Sequence, residues 1–149
     1  MLRGGQWSFA VPVLAVLLAA GCSPSSSGPA ANEQAVVVEK NEATGLSRLT
    51  LSARAAERLG IATTPVGEQQ GGGGKQTVVP YSAVIYDASG KTWAYTNTGG
   101  LVFVRHQITV DRIEADRAVL SGGPPVGTLV VTVGVAELWG VETGVGGGH

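Results

Sequence analysis

The stretch VVPYSAVIYDASGKTWAY, residues 78–95, decides how this chain is read. Val79, Tyr81, Ala83 and Ile85 fall on one side of an extended chain, and Trp93 and Tyr95 resume the alternation after a gap. A period of two is the mark of a strand with one face against a core. The gap is Asp87-Ala88-Ser89-Gly90-Lys91, a polar cluster with a glycine that can take positive φ. The stretch therefore predicts two β-strands joined by a tight turn. It also holds all three tyrosines of a chain in which aromatic residues make up only 5%.

Downstream, the same signals repeat. Asn97-Thr98-Gly99-Gly100 is a turn, and Leu101 to Asp111 predicts a long strand. On it Val102, Val104, Ile108 and Val110 share one face with His106, while Arg105, Gln107, Thr109 and Asp111 share the other. Ile113 to Leu120 predicts a hairpin turning at Glu114-Ala115-Asp116. SGGPPVG (121–127) is a loop stiffened by two prolines. Thr128 to Val133 predicts a last strand, with Leu129, Val131 and Val133 on its apolar side, and Val135 to Trp139 suits one helical turn. Five or six short strands with frequent turns, and no alternation of strands with helices, predict an all-β fold: a small antiparallel β-barrel or β-roll.

Upstream, Val36-Val37-Val38 and the alternating Leu49 and Leu51 suit short strands. Ser52 is placed to cap a helix over Ala53 to Leu59 that Gly60 would end, the one short helix of the fold. Ile61 to Val66 returns to β character. QQGGGG (69–74) then reads as a hinge or loop and as the main internal boundary, because consecutive glycines cost much entropy to order.

The first residues are targeting material. Arg3 supplies a positive charge, and Phe9 to Ala20 is an apolar run too short to span a bilayer. It ends in Leu18-Ala19-Ala20-Gly21-Cys22, and Cys22 is the only cysteine. This arrangement resembles the lipobox of bacterial lipoproteins, which implies cleavage before Cys22 and its lipidation. Residues 1–21 are thus read as signal peptide. Residues 22–35 form a lipidated flexible tether, rich in Ser, Pro and Ala. Residues 36–142 are the β domain, with a Gly-rich break at 67–76, and residues 143–149 a disordered tail. The expected location is the cell membrane, lipid-anchored and facing the periplasm or the exterior. With Cys22 acylated, no thiol remains for a disulfide, a metal site or a nucleophile. A formal net charge of −1 gives no argument for nucleic acid.

The blocks VVPYSAVIYDASGKTWAYT (78–96), FVRHQITVDRIEADRAVLSGG (103–123) and GTLVVTVGVAELWGVE (127–142) resemble the membrane-proximal domain of periplasmic adaptor subunits. These are the membrane fusion proteins of resistance-nodulation-division efflux pumps. LTLSARAAERLGIATTPV (49–66) is similar to the segment before the first core strand in their heavy-metal branch. A full adaptor carries a coiled-coil hairpin, a lipoyl-like domain and a complete β-barrel between these blocks. Here the gap is GEQQGGGGKQ (67–76), which reaches ~33 Å at most and can build none of them. The resemblance implies a non-catalytic accessory or adaptor-like module, docked on the extracytoplasmic part of an inner-membrane efflux transporter. It also implies that the two blocks meet in one domain, so that Leu49–Leu51 or Ile61–Val66 pairs with the C-terminal sheet. Adaptors that bind metal through methionines have no counterpart here, since Met1 is the only methionine.

Candidate residues for chemistry are few. No Ser–His–acid set or Cys/His cluster stands out, and GGGG (71–74) lacks the Lys-Ser/Thr of a phosphate loop. The reading is therefore no enzyme, no cofactor and no metal. Asp111, Glu114 and Asp116 mix with Arg112 and Arg117 as a solvated turn would. Arg105, Arg112, Arg117 and Trp139 are candidates for a partner-docking face, because Arg and Trp are enriched at interfaces. Tyr81, Trp93 and Tyr95 are candidates for an aromatic ligand patch. On that patch, or on His106 and His149, would rest a second reading as a small-ligand or metal-binding lipoprotein. A third is a degenerate remnant of a full adaptor.

Overall fold

The computed structural model describes residues 34–145. The signal peptide, Cys22, nearly all of the tether and His149 lie outside the described residues. The described residues are mostly antiparallel strand, 54% of them, arranged as one curled sheet with two short α-helices.

The N-terminal block runs β1 (Val36–Lys40), β2 (Ser47–Leu51), α1 (Ala53–Leu59) and β3 (Ala62–Pro65). The helix has the ends expected of its sequence. Ser52 Oγ accepts the Ala55 N–H at 3.2 Å, and Gly60 closes the last turn at φ 61°, where a side chain would be strained. Leu49 and Leu51 are buried, as their alternation requires.

Next come β4 (Gly67–Gly71) and β5 (Gly74–Pro80). They pair from Gly67↔Val78 to Gly71↔Gly74, leaving a two-residue turn at Gly72-Gly73. The glycine run is thus not a hinge or a boundary but the tip of a hairpin. Ladder hydrogen bonds are made by the backbone, so a strand can form where side chains carry no pattern. Glycine also suits the turn itself, since Gly74 has φ 113°.

The first arm of the 78–95 stretch is not one continuous strand. β5 ends at Pro80, and Tyr81–Ala83 forms a single 3₁₀ turn. Proline offers no N–H to a ladder, and the following turn redirects the chain. Val79, Ala83 and Ile85 point inward, but Tyr81 is 45% exposed. Only β6 (Ile85–Tyr86) pairs across the Asp87–Lys91 turn with β7 (Thr92–Gly99).

The long strand β8 (Val102–Glu114) pairs with β7 through Val102–Ile108 and then with β9 (Arg117–Gly122). Register shifts around Val110 bend it at the handover. Because it crosses between two cores, both of its faces are used in turn: Phe103 is buried on one, Ile108 on the other, and His106 is exposed between them. The last strand, β10 (Leu129–Val133), likewise buries both Val130 and Val131 while Leu129 and Val133 are exposed. It is followed by α2 (Val135–Thr143), twice the expected length, which takes in Thr143 of the predicted tail.

Along the main sheet path the order is β3-β10-β7-β8-β9-β5-β4. Its two ends, β3 and β4, are successive pieces of one run of chain joined through buried Val66, so the sheet curls back on itself. The N-terminal block pairs with the C-terminal sheet at both of the places where one was expected: β2 pairs with β8, and β3 with β10. One core, with Leu49, Leu51, Tyr95, Phe103, Val131 and Leu138, lies beneath the helices. The other, with Val66, Val79, Ala94, Ile108, Leu120 and Val130, fills the opposite face.

Candidate functional site

The densest polar cluster gathers around Arg105 on β8. β7 and β8 pair antiparallel with Tyr95 opposite Arg105, while α2 lies over the same face. The Arg105 guanidinium sits between two indoles, 4.5 Å from the ring centre of Trp93 and 4.8 Å from that of Trp139. Its Nε donates to Glu142 Oε1 on α2 at 3.0 Å and lies 2.9 Å from Oε2 in the same ion pair. Glu142 also accepts from the Tyr95 hydroxyl and, at 3.4 Å, from the Ser47 N–H.

This is a charge pair largely removed from water, since the side chains are 14% and 4% exposed. Such a pair is tolerated when further hydrogen bonds support it, and here Glu142 has two besides Arg105, from Tyr95 and Ser47. Each stacking contact adds about 1 kcal/mol. Burial, first, and the hydrogen bond to Glu142 push the Tyr95 phenol well above its ordinary value.

Trp93 extends the cluster to the β6–β7 turn. Its Nε1–H donates to Asp87 Oδ2 at 2.9 Å, while Asp87 Oδ1 accepts from Ser89 N, Ser89 Oγ and Lys91 N. These donors, the Ser89 hydroxyl and the Trp93 indole foremost, hold the Asp87 carboxyl well below its usual range. The turn that organised the sequence reading is thus wired to the helix that ends the described chain.

The four candidate docking residues do not share a face. Arg105 and Trp139 meet within the cluster just described. Arg112 belongs to a separate surface network: it donates to Glu114 at 2.7 Å, Asp111 at 2.9 Å and Gln76 at 2.8 Å, and Gln69 donates to Glu114 at 2.8 Å. That network ties the β4–β5 hairpin to β8, and the hydrogen bond from Gln69, followed by Arg112, lowers the Glu114 pKa. Arg117 is exposed at the start of β9, beside Glu68, Pro80 and Asp116 in a shallow cleft. The three aromatic candidates also divide. Trp93 and Tyr95 face the helices, whereas Tyr81 is exposed near Tyr86, whose phenol is pushed up by partial burial and by Tyr81.

Glu142 and Asp87 were not among the sequence candidates. Glu142 lies 37 residues from Arg105 and 47 from Tyr95, so no local spacing connects them. Asp87 was legible as a turn residue, but its bond to Trp93 was not. Among the described residues no group of three His, Cys, Asp or Glu is placed to hold a metal ion. An apolar groove of about 440 Å³ runs beside the helices and is lined by Leu59, Ala136, Glu137, Gly140, Val141 and Val145. No described helix is long and apolar enough to cross a membrane. Comparison with known families, curated proteins and solved structures yields no match to this chain.

Proposed function

We propose that this chain is a lipid-anchored, non-catalytic module of an efflux system of the resistance-nodulation-division type. It docks through its β domain on the extracytoplasmic part of an inner-membrane transporter. The observation that carries this reading is the joining of the two adaptor-like blocks. β2 and β3 from the first block are paired to β8 and β10 of the second, as the resemblance requires of a membrane-proximal domain. The ten residues that replace the other adaptor domains close the gap as a hairpin without disturbing that pairing.

The same features favour a working domain over a degenerate remnant. A fold cut open by an internal deletion would leave core or backbone bare. Instead, two cores are filled, and no buried side-chain nitrogen or oxygen among the described residues lacks a partner. Cys22 supplies the anchor in this account, and the Ser/Pro-rich tether supplies reach.

The test is co-purification. The tagged full-length chain, extracted from membranes in mild detergent, should recover a transporter of this class, and Cys22→Ser should leave the chain unlipidated and reduce the recovery. Repeated isolation of the lipidated chain without any transporter subunit would refute docking.

A further inference from the structure

We infer that α2 is a detachable strap: it is held on the sheet chiefly by the Arg105 clamp and opens as a unit of its own, ahead of the sheet. Alone, this helix has little to sustain it. It is nine residues long, far below the length at which an isolated helix is stable in water. Gly134 (φ 84°) and Gly144 (φ 76°) flank it, no side chain caps its N-terminus, and Gly140 sits inside it. Glu142 lies in its last turn, where the helix dipole disfavours a carboxylate. The Arg105 guanidinium facing it offsets that penalty.

The apolar grip is narrow as well. Leu138 is the one fully buried residue of α2, with Val135, Trp139 and Val141 partly buried around it. The polar grip is concentrated: Glu142 meets Arg105, Tyr95 and Ser47, and Trp139 meets Arg105. The sheet beneath depends on none of this for its ladders, since α2 contributes no strand and β10 is held by β3 and β7. Gly134 is the pivot. Opening there bares Leu49, Tyr95, Phe103 and Val131, an apolar face that is covered in the closed form.

Native-state hydrogen exchange on the full chain tests the strap. Amides of α2 should exchange about tenfold or more faster than those of β7 and β8, through an opening with a shallower denaturant dependence than theirs, since it exposes less surface. Arg105→Ala should speed α2 exchange on the order of 100-fold, and β7 and β8, whose unfolding also breaks the clamp, by no more than the same factor, so that α2 stays the faster. Arg105→Lys, which keeps the charge but not the planar stack, should fall between them. If Arg105→Ala does not fold, Glu142→Gln serves in its place. Opening should also raise binding of the apolar dye bis-ANS in the clamp variant. Exchange of α2 at the rate and denaturant dependence of β7 and β8 would overturn the strap, and α2 exchange unmoved by Arg105→Ala would overturn the clamp. Faster α2 exchange without added dye binding would overturn the bared face.

Discussion

Glu142 shows how much a single side chain can hold in place. Its carboxylate takes donors from β2, β7 and β8 at once, through Ser47, Tyr95 and Arg105. Tyr95→Phe removes one of them and should cost about 1–2 kcal/mol at neutral pH, read from urea unfolding. The same variant carries a pH signature. Burial holds the folded phenol above its ordinary 10.0, so the unfolded chain ionises first. That contribution to stability is complete below pH 10.0 and is lost as pH rises beyond it. The wild type should therefore lose stability more steeply than Tyr95→Phe in alkali; parallel curves would contradict the assignment. Asp87 behaves in the opposite sense. Its lowered pKa means that the turn's contribution to stability is complete above the ordinary carboxyl value of 3.8 and is lost progressively as pH falls below it. The Trp93 indole N–H resonance, bonded to Asp87, should stay in place as pH falls through 3.8 and move only at lower pH. Arg105, Trp93, Trp139 and Tyr95 all stood out in the sequence, yet as exposed or ligand-facing residues. The physical reason is that an arginine reads as solvent-facing unless its carboxylate partner is known, and this partner is remote in sequence.

The elements divide according to how locally each is encoded. Helix α1 was legible to the residue because Ser52 and Gly60 act within one turn of chain. The β4–β5 hairpin was not, because its pairing is made by glycine and glutamine backbones with no apolar rhythm. The split of the 78–95 arm lay in Pro80, whose effect is visible only once β9 takes up β5 as its neighbour. At the β10–α2 junction, Gly134 is required twice over: it has φ 84°, and a Cβ there would lie 2.2 Å from Ile61 Cδ1. Gly134→Ala should cost about 2 kcal/mol, with a correspondingly lower melting temperature. The β8–β9 turn offers the converse. Ala115 sits at φ 51°, a conformation that glycine adopts without strain. Ala115→Gly should be neutral to stabilising, by up to about 1 kcal/mol, in the same melting assay.

At the largest scale, the described residues form an all-β domain in which distant blocks complete one curled sheet. That class was readable from the spacing of strands and turns. The presence of two cores was not, because it requires β7, β8 and β10 to be covered on both faces, a property of topology rather than of any one strand's alternation. The proposed docking draws on this closure: if Cys22 is lipidated as proposed, the closed domain acts at the membrane surface where that anchor holds it. The most direct test is site-specific photo-crosslinking in intact cells, from positions on the β4–β5 hairpin, β1 and α1 of the full-length chain. The account predicts adducts with an inner-membrane efflux transporter from one contiguous set of these positions. A chain that resides in the membrane and gives no transporter adduct from any of them would contradict it.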